Sequence, residues 1–595
     1  MKNQNQKHTF WRLLKYIVKT GPVAFPLAII GIIVSAFSTV YGSLFIQQLI
    51  DKYITPLLKQ ANPNFTPLFN ALGFLALVYL IGVATTYLYT LLMMVLAQKV
   101  QKSIRDKMFK HMQYLPIAYF DQNEYGDIMS RYTNDIDTLM QMISQSIPQF
   151  VSSTLTIVFV LGSMLVLSWQ LTILTLVIFL LSVGIVRYLT KKSGHYFKLQ
   201  QEKLGAMNGY NEEMLSGLKV IKVFSHEPYV KNDFDKYNDE LRQASGLANV
   251  YATVLFPIMG NVGNISYVLI ALIGGLGAIA SFLQLSRSFS MPIAQISQQL
   301  NSIVMAMAGA NRIFNVLDKA TEVDEGRVTI THKTGVKNAW NWRKANNELV
   351  PVKGHIKFDH VDFGYVPNKQ ILYDINIDAK PGMKVALVGE TGAGKTTISN
   401  MINRFYEINS GSITYDGIDV KDIKKDDLRK SVAIVLQDTH MFTGTIMDNI
   451  RFGNPDASDD EVYQAARLAH ADEFIHELDN GYQTVIDGSG GDLSQGQMQL
   501  LSIARAMIAD RPVMILDEAT SSIDTRTERI IQKGMDNLLA GRTSFVIAHR
   551  LSTIVNSDLI CVLDHGHIIE KGSHEELLAK KGYYYELYTG KKEIE

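Results

Sequence analysis

The sequence holds a single cysteine, Cys561, among its 595 residues. One thiol excludes an intramolecular disulfide framework, and its setting, ICVL, reads as a buried strand in which cysteine is a small core residue. An excess of one charge is missing too: 57 lysines and arginines face 57 aspartates and glutamates. With both signs interspersed, nothing points to a nucleic-acid partner. Ionisable residues are absent from the depth of every long apolar run, where Arg187 and Arg287 lie only near the ends. That absence argues against a proton- or sodium-driven carrier, which would keep a charge inside the membrane as a relay.

Long apolar runs, by contrast, are plentiful, and they fill the first half of the chain. Residues 21–50 contain no charge at all, and about 20 apolar residues in a helix cross a bilayer core. Further runs follow at 68–97, 147–168, 171–189 and 250–285. Trp169 and Gln170 separate the third from the fourth, which predicts a tight outer hairpin. The last run is too long for one span and carries glycines at 274, 275 and 277, so it reads as two helices meeting at a short turn. Six spans result. Lys2, Lys7, Arg12, Lys15 and Lys19 precede the first, and Lys99, Lys102, Arg105, Lys107 and Lys110 follow the second, which puts both flanks and both termini in the cytoplasm. Residues 98–146 and 190–249 are polar with helical periodicity and read as membrane helices continuing into the cytoplasm. Met93, Met94, Met164 and Met259 are read as packing residues rather than as an adaptable pocket.

The second half has soluble composition and carries nucleotide chemistry. KVALVGETGAGKTT places a short apolar strand before Gly389-Glu390-Thr391-Gly392-Ala393-Gly394-Lys395-Thr396-Thr397. In such a loop glycines let backbone N–H groups approach phosphates, Lys395 reaches the β- and γ-phosphates, and the Thr396 hydroxyl ligates Mg²⁺. VMILDE, 513–518, is a second apolar strand ending in Asp517, for the Mg²⁺ shell, and Glu518, placed to polarise an attacking water. FVIAHR, 545–550, delivers His549 to the carboxyl end of a third strand, where such sheets bind ligands. Gln437 follows the apolar run 432–436 and is placed to sense Mg²⁺ or the water.

Together these residues resemble the ATP-binding cassette exporters with fused membrane and nucleotide domains. LSQGQ (Leu493, Ser494, Gln495, Gly496, Gln497) matches the family signature, and Ser521, Ser522, Ile523 and Asp524 match its D-loop. Gln437 matches the Q-loop, His549 the switch histidine, and Tyr365 the aromatic residue that stacks on adenine. Residues 120–137 and 212–227 look like the two cytoplasmic loops whose coupling helices dock on nucleotide domains. The resemblance implies a six-helix, all-α transmembrane domain (type I exporter, type IV fold) followed by an α/β P-loop ATPase. It divides the chain into a cytoplasmic segment 1–20, membrane domain 21–315, linker 316–353 and nucleotide-binding domain 354–595. ATP and Mg²⁺ are the implied cofactors. A second half-exporter is the implied partner, because each ATP would lie between one chain's phosphate loop and the other's signature helix.

Two departures bear on that partner. Gln495 stands where the family has glycine, and Asp487-Gly488-Ser489-Gly490 lacks the glutamate expected near Gly488. Both resemble heterodimeric exporters with one intact and one degenerate ATP site, so a heterodimer is favoured over a homodimer. Ser494 followed by Gln497 also reads as a helix capping box. The expected activity is ATP-driven export or flipping of amphipathic drugs or lipids across the cell membrane. A homodimeric lipid or peptide exporter and an ATP-gated channel or regulator remain as alternatives. The linker, which contains Trp340 and Trp342, is expected to be flexible.

Overall fold

The computed structural model describes residues 2–590 apart from 60–61, 255–256, 259–260, 262–263, 266–267, 270–271, 273–275, 333–339, 367–368, 438, 489, 492, 518–524 and 548–553. The chain forms two units, one comprising Met1–Gln113 and Glu124–Lys319, the other Tyr114–Asn123 and Ala320–Glu595.

The first unit is helical. An amphipathic helix, Lys2–Thr20, precedes Ala24–Gln48, which continues through a π-helical turn, Leu49–Ile54. Thr66–Met112 then runs for 47 residues, about 70 Å at 1.5 Å per residue. That is more than twice the ~30 Å hydrocarbon core, so its polar second half extends beyond the bilayer as its periodicity predicts. Among the described residues three helices are long and apolar enough to cross a membrane: Ala24–Leu57, Thr66–Met112 and Tyr125–Leu167. The fourth apolar run opens the 48-residue helix Trp169–Ser216. The break before it is Ser168 rather than Trp169 and Gln170: Ser168 is extended and its hydroxyl accepts from Leu171 N, which caps the new helix. Of the predicted turn at 274–277, residues 274–275 lie outside the described residues, while Leu276 and Gly277 belong to the helix Leu276–Leu317.

Charges collect beyond the apolar stretches, where they pair. Arg12 makes two hydrogen bonds to Asp318, at 2.5 and 2.8 Å, with its guanidinium 4.2 Å from the Phe314 ring. Arg312 grips the buried Asp135 at 2.5 and 2.8 Å. Gly309 makes room for that pair, since a Cβ there would sit 3.2 Å from Asp135 Oδ1.

The second unit is built on a six-stranded sheet in the order His567–Gly572, Leu559–Asp564, Lys384–Val388, Thr543–Ile547, Val513–Asp517, Val432–Val435. Only the first pair is antiparallel. Every residue of Val513–Asp517 and Thr543–Ile547 is buried, as expected of parallel strands covered on both faces. Cys561 lies in this core, fully buried, its thiol pushed up to about 12 by desolvation. A four-stranded antiparallel sheet, Leu372–Ala379, Ile356–Phe363, Ser410–Tyr415 and Ile418–Asp419, packs beside it through a shared apolar cluster.

The linker differs from expectation. Residues 329–332 and 340–351 are not a flexible connection but a three-stranded antiparallel sheet, Thr329–His332, Trp340–Arg343 and Leu349–Pro351. The cause is Trp342, whose indole is fully buried, meets the Tyr415 ring edge-on at 5.0 Å and donates to Asp416 Oδ2 at 3.1 Å. Trp340 is covered by the Arg511 guanidinium, 5.1 Å from its ring. Both tryptophans therefore dock on their own ATPase unit.

Candidate nucleotide site

Parallel register brings the carboxyl ends of four strands into line. Leu387 pairs with Ile547, Ile547 with Asp517, and Leu516 with Val435. The strand ends Val388, Asp517, Ile547 and Val435 therefore lie along one edge of the sheet. This is where open α/β sheets bind ligands.

The loop after Val388 has the backbone that polyphosphate binding needs. Gly392 and Gly394 have φ of +87° and +105°, a region that L side chains rarely adopt. A Cβ on Gly394 would also lie 2.7 Å from Leu372 Cδ2, whereas space above Gly392 is open. Lys395 begins the helix Lys395–Ile402. It is 5% exposed and donates to the carbonyls of Gly389 and Glu390 at 2.6 and 3.0 Å. Burial holds its pKa below the ordinary lysine value, while the Asp517 carboxylate works in the opposite direction. An ammonium whose hydrogen bonds among the described residues go to two carbonyls gains from an anion. Thr391, Thr396 and Glu390 are exposed, and Ala393 and Thr397 are buried. These features fit a phosphate chain with its Mg²⁺, given an exposed hydroxyl at Thr396 and a carboxylate at Asp517.

Tyr365 stands beside the same helix. Its hydroxyl donates to Thr397 Oγ1 and accepts from Asn400 Nδ2, both at 3.2 Å. Its ring meets Tyr406 edge-on at 4.8 Å. Gln437 is exposed two residues past its strand. Glu518, His549 and the D-loop residues Ser521, Ser522, Ile523 and Asp524 lie outside the described residues.

The signature helix runs Gln495–Ala509, and its capping box is complete. Gln497 N donates to Ser494 Oγ at 3.3 Å, and Ser494 N to Gln497 Oε1 at 2.8 Å. Leu493 packs on the core, Gly496 is buried, and Gln495 projects from the first helical position into solvent. Lower on this helix, Arg505 donates to the carbonyls of Asn449 and His440, each at 2.9 Å, which ties the helix to the segment following Gln437.

The first docking segment is displaced from its expected place. Pro116 starts a short helix, Ile117–Asp121, and only residues 114–123 belong to the ATPase unit, whereas 124–137 continue the membrane helices. Within the ATPase unit Tyr406 donates a hydrogen bond to Asp121, and Glu322 N donates to Tyr114 O at 2.8 Å. Glu322 in turn binds Arg429 at 2.6 and 2.9 Å and Lys425 at 3.2 Å. Sequence reasoning missed Tyr406 and Glu322. The one local signal was the proline at 116, which marks a helix start. The second segment does form a short helix where expected, Leu218–Phe224.

A P-loop ATPase unit fused to a bundle of bilayer-length helices defines an ATP-driven membrane protein. Comparison with known proteins makes this specific. The family model described as the ABC transporter transmembrane region matches residues 25–300, and that of the ABC transporter matches 372–521. The chain belongs to this family as an ABC exporter, in which ATP hydrolysis is coupled to transport. It is 38% identical over 597 residues to the uncharacterized ABC transporter ATP-binding protein YfiC of Bacillus subtilis, covering 99% of this chain and 95% of that one. It is 39% identical over 533 residues to the fatty acid ABC transporter ATP-binding/permease protein of Mycobacterium bovis, covering 88% and 82%. With the ATP-dependent lipid A-core flippase of Desulfotalea psychrophila it shares 34% over 517 residues, covering 84% and 86%.

Proposed function

We propose that the chain is one half of a dimeric exporter that moves lipids or other amphipathic molecules across the cell membrane. The supporting observation is a cavity of about 530 Å³ in the helical unit, lined by Ser35, Thr39, Tyr79, Thr86, Tyr87 and Thr90 among others. Its described lining carries no charge and combines hydroxyls with apolar carbon. That suits a molecule with polar and hydrocarbon parts. The names of the fatty acid transporter and lipid A-core flippase relatives agree with this class.

On this reading Gly389 to Thr397 hold the phosphates, Tyr365 supports the adenine, and Thr396, Asp517 and Gln437 hold Mg²⁺, which supplies charge neutralisation between the phosphate oxygens. Glu518 polarises the water, and His549 contacts the γ-phosphate. Leu493 to Gln497 and the D-loop serve the ATP held by the partner. Both termini face the cytoplasm, by the clustering of lysine and arginine around the first two spans. Replacing Glu518 by Gln is expected to cut ATPase activity and transport at least ~100-fold while ATP binding persists. Unchanged turnover in that variant would remove Glu518 from its role.

The partner is proposed to be a second, different half-exporter, on the strength of Gln495. The exposed Gln495 side chain at the first helical position stands where a neighbouring phosphate would approach the helix N-terminus. Expressed alone, the chain is expected to give little or no substrate-stimulated ATPase. Vigorous turnover from a purified homodimer overturns the heterodimer.

A further inference from the structure

The phosphate loop has a neighbour distant in sequence. Tyr583 Oη donates to Glu390 Oε1 at 2.9 Å, across 193 residues of sequence. Glu390 is the second residue of the loop, and its backbone carbonyl already accepts from Lys395. One residue thus offers its carbonyl to the lysine and its charge to the tyrosine.

Tyr583 stands on a firm footing. It opens the helix Tyr583–Tyr588, and the Glu570 carboxylate accepts from Tyr583 N and Tyr584 N at 2.8 and 3.0 Å. Tyr584 and Leu587 are buried in the core beneath. Glu570 lies on the edge strand His567–Gly572, whose hairpin also braces the loop: Gly566 N donates to Ala393 O at 3.2 Å. A Cβ on Gly389 would sit 2.2 Å from Leu563 O. Burial together with the Glu390 bond, and to a smaller extent the charges of Asp564 and Glu586, pushes Tyr583 up to about 12. It is therefore a hydrogen-bond donor throughout the neutral range.

The loop has to admit a polyanion, and a mobile carboxylate one residue from Gly389 opposes that by like-charge repulsion. We propose that Tyr583 is a positioning residue for ATP binding, holding the Glu390 carboxylate at the rim of the loop and away from the phosphates. This rests on the reading of residues 389–397 as the phosphate loop.

The test uses the full-length assembled exporter in lipid, with Tyr583→Phe, Glu390→Gln and the double variant, measuring KM for MgATP, kcat and thermal unfolding. Tyr583→Phe is expected to raise KM about three- to tenfold, the effect of one lost charge-assisted hydrogen bond, with kcat within about twofold and an unchanged midpoint. Glu390→Gln is expected to lower KM, and adding Tyr583→Phe to it to change nothing further. An equal rise in KM in both backgrounds, an unchanged KM, or a joint loss of kcat and thermal stability in Tyr583→Phe overturns the proposal. The reading beneath it fails separately, through undiminished ATP binding in Lys395→Met.

Discussion

Lys395→Met should reduce ATP hydrolysis by roughly a hundred- to a thousandfold, the usual cost of removing one preorganised charge partner from a phosphoryl-transfer site. The ammonium is 5% exposed and its present partners are the carbonyls of Gly389 and Glu390. Desolvation already disfavours its charge, so a bound phosphate would replace a weak environment with a strong one. Methionine keeps the length and apolar stem but cannot donate. Glu390 O still accepts from Ala393 N at 3.1 Å in its absence, so the loop should keep its shape. Binding of a fluorescent ATP analogue and steady-state hydrolysis provide the measurement. Normal hydrolysis would refute the assignment of the loop.

Trp342→Ala should destabilise the ATPase unit by about 3–5 kcal/mol, the range for emptying a large buried aromatic site. For a unit comprising Tyr114–Asn123 and Ala320–Glu595 that corresponds to a fall in Tm of roughly 5–8 °C. The indole is fully buried against Tyr415, and little in the insert itself would close the hole. The lost hydrogen bond to Asp416 adds less, because that carboxylate keeps Lys353 N and His355 N at 3.0 and 2.9 Å. Trp342→Phe should therefore recover most of the loss. A Tm shift under ~2 °C for the alanine variant would show that the insert is peripheral.

The strand Lys384–Val388, the glycine turn after it and the helix Lys395–Ile402 were legible in the sequence because they are contiguous and occupy one short run. The capping box at Ser494 and Gln497 was legible for the same reason, with donor and acceptor three residues apart. What escaped were partners separated along the chain. Trp342 and Asp416 are 74 residues apart, and without Asp416 and Tyr415 the polar stretch around two tryptophans reads as a connection. The boundary of the first docking segment likewise depends on Tyr406, which no local pattern links to residues 114–123. Periodicity gave the helical continuation of Thr66–Met112 and Trp169–Ser216 past their apolar runs, since a 3.6-residue repeat persists whatever surrounds it.

Asp121 and Tyr406 lie 285 residues apart. At about 5–20 residues per second, residues 114–123 leave the ribosome roughly 15–60 s before the surface that receives them has been made. A helix of five residues such as Ile117–Asp121 does not hold itself together in water. Insertion of the first membrane helices therefore proceeds with this segment unfolded, and its helix becomes a late product of assembly, formed when the ATPase unit folds around it.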